Sequence, residues 1–140
     1  MDSIKEILAG DMFARQAGIQ LLEVKPGYAR ASMKLTPNHL NSEGVCQGGA
    51  LFTLADLAFA AASNSRGQLT FSLNANITYL RSVSEGCVYA EATELFNHHR
   101  VPFIEVRLTD EAGELVALFT SSGYRKTIAS PQNIPSSTAT

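Results

Sequence analysis

Residues 41–65 read NSEGVCQGGALFTLADLAFAAASNS, a glycine-rich turn followed by a stretch that is apolar on almost every side. A helix that is apolar all round is typical of the middle of a fold, so this stretch predicts one long central helix. Between Glu43 and Arg66 it carries a single ionisable carboxylate, Asp56. A carboxylate buried among leucines and alanines is costly unless it has a partner, a raised pKa or a chemical task. We therefore expect Asp56 to be buried and functional, with a structural hydrogen bond as the open alternative.

The small and polar residues of this helix fall on one narrow line. At about 100° per residue they share roughly a third of the circumference. They are Gly49, Thr53, Asp56, Ala60, Ser63 and Asn64. Such a line favours a crevice or a subunit contact over a close-packed core.

The composition indicates one soluble globular domain. The chain has 140 residues, of which 45% are hydrophobic and 17% charged, as in ordinary globular proteins. A net charge of −2 without a Lys/Arg cluster disfavours nucleic acid as a partner. No apolar run reaches the roughly 20 residues of a membrane span, and the first residues do not resemble a signal peptide. We expect a cytoplasmic protein with no membrane partner, one domain at 1–126 and a disordered Ser/Thr/Pro-rich tail at 127–140.

Strand patterns surround the central helix. A short amphipathic helix is predicted at 3–10, and strands are predicted at 17–24, 28–35, 69–80, 87–96, 101–109 and 114–125. The strand at 69–80 alternates with period two, which predicts one apolar face made of Leu69, Phe71, Leu73, Ala75, Ile77 and Tyr79. The sum is an α+β fold, a curved antiparallel sheet wrapped around one long helix. A sheet that wide leaves an edge and part of a face open to a second subunit.

The cysteines and histidines give weaker signals. Cys46 lies just before the helix N-terminus, where a thiolate is stabilised, but the preferred interpretation of Cys46 and Cys87 is two small buried apolar side chains. The pair His98 and His99 is expected in a solvated turn, and two histidines are too few to hold a metal. His39 is expected to be a loop residue and not a base. We expect no metal and no cofactor.

Two motifs together carry a family resemblance. The segment HLNSEGVCQGGALFTLAD at 39–56, followed by SLNANITYLR at 72–81, resembles the hotdog-fold acyl-CoA thioesterases, in the branch typified by the phenylacetate-pathway thioesterase. The similarity extends from about 19 to 125. Its most specific part is the spacing of Asn41, Gly48 and Asp56.

The resemblance implies a homodimer with the two sheets joined edge to edge, often paired again into a homotetramer. It implies active sites between subunits, where Asp56 acts on water as general base or attacks the thioester directly. The Gly48 N–H would polarise the thioester carbonyl, Asn41 would help to place the water, and Ser72 would lie near the acyl group. The implied substrate is an acyl-CoA with a small or aromatic acyl group, in which coenzyme A is part of the substrate and not a cofactor.

The remaining implied contacts are with substrate. Gln47 stands where many relatives have His; an amide can hydrogen-bond a carbonyl but cannot transfer a proton. Gly49 and Arg81 are further expected contacts. Other candidates for the coenzyme A phosphates are Arg66, Arg100 and, as the alternative to a solvated turn, the pair His98 and His99. The aromatic side chains of Phe52, Phe59, Phe71 and Tyr79 could line an arylacyl pocket, but core packing is the preferred interpretation.

Two other functions stay open. An enoyl-thioester hydratase or dehydratase of this fold usually has a His about five residues after the Asp, and this chain has Ala61 there. A non-catalytic acyl-CoA-binding module is the other alternative. A cysteine hydrolase that uses Cys46 is a distant further option.

Overall fold

The computed structural model describes residues 2–126, and the side chains of 4–126. The tail expected at 127–140 lies outside the described residues. The helices are α1 (Asp2–Leu8), α2 (Met12–Gln16) and α3 (Gly48–Ser63), with a short 3-10 turn at Pro37–His39. The strands are β1 (Ile19–Lys25), β2 (Tyr28–Lys34), β3 (Leu69–Tyr79), β4 (Cys87–Phe96), β5 (Phe103–Thr109) and β6 (Leu115–Lys126).

The six strands form one antiparallel sheet in the order β1-β2-β4-β5-β6-β3. Helix α3 lies across one face of the sheet and contacts every strand. The predicted hotdog arrangement, a curved sheet around one central helix, is therefore confirmed. Within residues 2–126, no helix combines the length and the apolar character needed to cross a bilayer.

Small residues on the inner face of the sheet let the helix approach closely. Ala31 of β2 and Ala90 of β4 are fully buried in the same core as Leu54 and Ala58 of α3. At the other side of the helix, the ring of Phe119 packs edge-on against Phe52, with centroids 5.4 Å apart. Each large apolar side chain buried in this way contributes about 1.5–3 kcal/mol.

The strand β3 lies at an edge of the sheet and does not have the single apolar face that its alternation predicts. A β-bulge between Ser72 and Asn74 shifts the register with β6. Before the bulge, Phe71 pairs with Tyr124 on the outer face, and both are exposed. After the bulge, Ile77 pairs with the buried Phe119 on the inner face. The bulge inserts one residue, so the apolar positions on its two sides point to opposite faces.

The helix α2 is a second departure, because the sequence pattern predicts no helix there. It is only five residues long and starts from an N-cap at Asp11, whose Oδ1 accepts the Ala14 N–H at 3.1 Å. Ala14 is buried, whereas Met12 and Phe13 are exposed. So short a helix depends on its cap and on packing, which a periodicity analysis does not detect.

Candidate functional site

The start of α3 presents two free backbone donors. Gln47 is the N-cap, and its carbonyl accepts the N–H groups of Ala50 at 2.9 Å and Leu51 at 3.3 Å. Within residues 2–126, the N–H groups of Gly48 and Gly49 have no acceptor. Free N–H groups at a helix N-terminus, together with the helix dipole, favour the binding of an anion, or of a carbonyl oxygen that gains negative charge during a reaction.

The two glycines are required for different steric reasons. A Cβ on Gly48 would lie 2.9 Å from Cζ of Tyr79 and 3.0 Å from its hydroxyl. A Cβ on Gly49 would lie 2.5 Å from Oε1 of Gln47. The Gln47 amide is the end of a flexible, exposed side chain and can move aside, whereas the Tyr79 ring is bulky and rigid. The requirement for glycine is therefore stricter at 48 than at 49.

A histidine holds the loop that leads into this turn. The Thr36 N–H donates to Nδ1 of His39 at 2.9 Å, so Nε2 carries the proton and donates to the Ala17 carbonyl at 2.6 Å. The Gln47 N–H in turn donates to the His39 carbonyl at 2.8 Å. His39 is buried, and both ring nitrogens are engaged. It is an anchor of the loop and not a base, in agreement with the expectation from sequence.

Asn41 shapes the same loop. Its Oδ1 accepts the N–H groups of Glu43 at 2.9 Å and Val45 at 3.3 Å, which closes the turn before the helix. Its side chain is exposed, and its amide NH₂ donates no hydrogen bond within the described residues. The role in placing a water molecule stays a prediction.

Two cavities flank the start of α3. One, of about 550 Å³, has Cys46, Gly48, Tyr79 and Arg81 on its wall. The other, of about 800 Å³, is lined by Gln47, Gly49 and Thr53 together with residues of α2 and of the 3-10 turn. The predicted contacts Gln47, Gly49 and Arg81 thus surround the turn that holds Gly48. Arg81 is exposed, and its nearest acid is Glu114, at 4.0 Å.

Burial determines the protonation state of the Cys46 thiol. The side chain is buried, and burial raises the pKa of its thiol to about 11. The alternative of a thiolate stabilised by the helix N-terminus is therefore disfavoured, because burial desolvates the charged form. Cys46 fits the preferred interpretation of a small buried apolar side chain. Cys87 is half-buried.

Asp56 lies on the exposed line of α3 and not in the core. The expectation of a buried carboxylate is therefore wrong for the single subunit. Gly49 is exposed too, and Thr53 is half-buried, whereas Ser63 at the end of the line is buried. The surrounding protein still removes part of the water from the Asp56 carboxylate, which raises its pKa, and the negative charge of Asp11 raises it further. The carboxylate has no hydrogen-bond or ion-pair partner within residues 4–126.

Within one subunit Asp56 and Gly48 are far apart. They are separated by eight residues of the same helix, which is about 12 Å along its axis. A water molecule or substrate held at the Gly48 N–H is therefore out of reach of the Asp56 carboxylate of that subunit. Asp56 lies on the open side of the helix, where another molecule can approach it.

Ser72 stands at the bulge of β3. The buried Ser121 donates its hydroxyl proton to the Asn74 carbonyl at 2.6 Å. The Ser72 Oγ lies 3.1 Å from the Ser121 Oγ and 3.3 Å from the same carbonyl. Ser72 therefore donates to one of these two oxygens and keeps its lone pairs for an incoming donor. It is exposed in the single subunit, and its contact with an acyl group stays a prediction.

Tyr79 is the site residue whose contact the sequence analysis did not predict, although it named Tyr79 as an alternative pocket residue. It was expected to belong to the core with the other aromatics, as Phe59 does, but it is exposed and touches Gly48. The alternation of its strand assigned it to the same face as Phe71, and the bulge reverses that assignment. The paired glycines at the helix start were the one available signal that a large side chain packs against the turn. Within residues 2–126, no three His, Cys, Asp or Glu side chains are grouped to hold a metal ion.

Comparisons with known proteins bear on the fold and the family. The family model described as the thioesterase superfamily matches residues 43–117. A putative esterase of Archaeoglobus fulgidus is 40% identical over 107 residues, which cover 76% of this chain and 70% of that protein. The acyl-coenzyme A thioesterase PaaI of Escherichia coli is 29% identical over 116 residues, which cover 82% of this chain and 83% of the relative. The solved structure of the E. coli PaaI protein superposes with a TM-score of 0.83 at 28% identity, covering 87% of this chain and 89% of that one.

Proposed function

The chain belongs to the thioesterase superfamily as a PaaI-like thioester hydrolase, and from that premise we propose that it hydrolyses a small or aromatic acyl-CoA to the free acid and coenzyme A. One observation carries the proposal. Two free N–H donors open toward the surroundings at the start of α3, and the one carboxylate of that helix points outward with no partner. These are the two groups that hydrolysis of a thioester needs, one for the carbonyl oxygen and one for the water.

The proposed active unit is at least a homodimer. The separation along α3 requires the carboxylate to come from a second copy, so that Asp56 of the partner subunit meets Gly48 of the first. The edge strand β3 supports this assembly, because its outer side has no strand partner among the described residues and it exposes Leu73 and Tyr79. Pairing β3 with a second β3 continues the sheet and covers these side chains. A further pairing into a homotetramer is part of the proposal.

The proposed reaction follows from these positions. The thioester carbonyl oxygen accepts the Gly48 N–H, and Asn41 helps to place a water molecule. Asp56 of the partner subunit takes one proton of that water as the water oxygen attacks the carbonyl carbon. The C–S bond then breaks, and the coenzyme A thiolate takes the proton from Asp56. A thiolate is a good leaving group, so no strong acid is needed. Direct attack by Asp56 on the carbonyl carbon is the alternative first step.

Substrate contacts are proposed on both sides of the turn. Arg81 shares the smaller cavity with Gly48, where a guanidinium can bind a phosphate of coenzyme A. Gln47 and Gly49 lie in the larger cavity, and Ser72 lies at the edge strand near the position expected for the acyl group. A hydratase mechanism is disfavoured, since Ala61 is fully buried in the core and its position cannot present a base.

A panel of acyl-CoA substrates with detection of the released thiol tests the proposal. We expect turnover by the wild type, and a loss of about 10²- to 10⁴-fold in kcat for Asp56→Asn. Glu23→Gln is the matched control and should keep full activity. Glu23 is an exposed acid of β1, and its ion-pair partner among the described residues is Lys25, at 3.8 Å. Retained turnover in Asp56→Asn would remove Asp56 as the base. Tight binding of acyl-CoA by the wild type without turnover of any substrate would instead favour the non-catalytic binding module.

A further inference from the structure

Tyr79 makes a specific contact with the turn that holds the two free donors. Its hydroxyl donates to the Gly48 carbonyl at 3.0 Å. Its ring occupies the space where a Gly48 side chain would lie, with Cζ 2.9 Å and Cε1 3.3 Å from that position. Tyr79 is 50% exposed and lines the same cavity as Gly48. It is the last residue of β3, so the contact joins the sheet edge to the helix start.

We infer that Tyr79 is the positioning residue of the donor turn, which holds the Gly48–Gly49 peptide so that the Gly49 N–H points, beside the Gly48 N–H, at the carbonyl oxygen of the thioester. The inference rests on the proposed function and deepens it. The hydroxyl fixes the Gly48 carbonyl, and this carbonyl belongs to the same peptide as the Gly49 N–H. A hydrogen bond donated to a peptide carbonyl polarises that peptide and strengthens its N–H as a donor.

A purely structural role explains the contact less well. In a regular helix that starts at Gly48, the carbonyl of Gly48 already accepts the N–H of residue 52. The Tyr79 hydroxyl is therefore not needed to satisfy a buried carbonyl. The ring is also half in solvent, where its burial contributes less than that of a core aromatic such as Phe59. What the contact does supply is a second hydrogen bond to the Gly48 carbonyl, at a helix start that has no side-chain cap.

The other side of the turn does not supply this orientation. The Gln47 side chain that covers Gly49 is exposed and makes no hydrogen bond to the helix start. The loop before it is held by His39, whose carbonyl fixes the Gln47 N–H. The Gln47–Gly48 peptide is held in turn by the Ala50 and Leu51 N–H groups, which donate to the Gln47 carbonyl. Tyr79 contacts the following peptide, Gly48–Gly49.

The hydroxyl is tested by Tyr79→Phe, which keeps the ring. We expect kcat to fall about tenfold, since one hydrogen bond made outside the core is lost. KM, the oligomeric state and Tm should be unchanged. Tyr89→Phe is the matched control, because Tyr89 lies on the outer face of β4 under Arg30 and away from the cavity, and it should leave kcat unchanged. An unchanged kcat in Tyr79→Phe, or a fall matched by a loss of Tm, would overturn the positioning role.

The ring is tested by a double-variant cycle that needs no activity. Gly48→Ala should lower Tm by about 5 °C or more in the wild-type background. In the Tyr79→Leu background the same substitution should lower Tm by less than half as much, because leucine does not reach the space of the ring. Equal losses in both backgrounds would refute the steric contact. This cycle separates the two proposals, since a chain that hydrolyses no acyl-CoA still shows the coupling, and an active chain without the coupling fails only this inference.

Discussion

The two edges of the sheet are built differently. The edge strand β1 has seven residues, carries Glu23 and Lys25 as an exposed ion pair, and is interrupted by a bulge between Leu21 and Glu23. The edge strand β3 has eleven residues, carries no charged side chain and exposes several large apolar ones. Charges and short length are features that keep an edge strand from pairing with another chain, whereas a bulge is present in both strands. The comparison supports the proposal that a second subunit covers β3.

The largest expected effect comes from placing the same charge on each edge. Leu73 on β3 and Leu22 on β1 are both exposed leucines, at 58% and 39%. We expect Leu73→Lys to give monomers and to lower kcat/KM by at least about 100-fold, since a single subunit keeps Asp56 away from Gly48. We expect Leu22→Lys to change neither property. Light scattering gives the mass and thiol release gives the activity.

A fully active Leu73→Lys monomer would contradict the proposed β3 interface, because the site would then be complete within one chain. Loss of assembly in Leu22→Lys would assign the interface to β1 instead.

The open side of the molecule also carries the carboxylate with the raised pKa. A base must be deprotonated to act, so kcat/KM should fall as the pH drops through the pKa of Asp56. Because that pKa is raised by burial and by Asp11, this acid limb should lie above the roughly 3.9 of a free aspartate. Asp11→Asn removes the nearby negative charge while keeping a side chain that can cap α2. It should move the limb to lower pH, and Glu23→Gln on the other edge should leave it in place.

A pH–rate profile of each variant checks this. An acid limb that stays at the same pH, or moves to higher pH, in Asp11→Asn would show that another group controls the pH–rate profile.

The bulge of β3 is the next feature to test. The β3 bulge has a buried hydroxyl behind it, since Ser121 donates to Asn74 and lies next to Ser72. Ser121→Ala leaves the Asn74 carbonyl without this donor, which should cost about 1–2 kcal/mol of unfolding free energy and raise KM several-fold as Ser72 loses its neighbour. Ser122→Ala, one residue along on the outer face of the same strand, is the matched control and should change neither. Denaturant unfolding and steady-state kinetics measure both, and equal effects of the two variants would contradict the account of the bulge.

The smallest expected effect concerns the two cysteines. With its pKa raised to about 11 by burial, Cys46 stays a thiol near neutral pH and should react slowly with iodoacetamide. Cys87, half-buried on β4, should react first. Activity should survive labelling of Cys87. Peptide mass spectrometry locates the label, and the thiol assay measures the activity that remains. Stoichiometric inactivation by labelling at Cys46 would restore the cysteine-hydrolase alternative.

The sequence predicts the architecture better than it predicts the site. The apolar character of α3 and the period-two strands were enough for the sheet and its helix, because both depend on local pattern. The bulge at Ser72 and the short helix α2 depend on pairing and capping, which local periodicity does not record. Asp56 was expected in the core because its sequence neighbours are apolar. The line of small and polar residues on its face of the helix was the better guide, because it favoured a crevice or a subunit contact over the core.

The same limit explains Tyr79. Its contact with Gly48 joins residues 31 positions apart in the chain, and its face of the sheet is set by the bulge. Gly48 itself was found through the motif that it shares with the thioesterase family. The residue that makes glycine necessary there becomes visible only when the strand and the helix start are placed side by side.

Subunit complementation tests most directly that each site is built from two chains. Asp56→Asn and Gly48→Ala are each expected to be nearly inactive, and a hybrid dimer of the two holds one intact site, with Asp56 from one chain and Gly48 from the other. Random pairing after co-refolding, or co-expression with two tags, should restore about a quarter of the wild-type activity. If the purified hybrid is as inactive as its two parents, while the wild type treated in the same way is active, the shared site is contradicted.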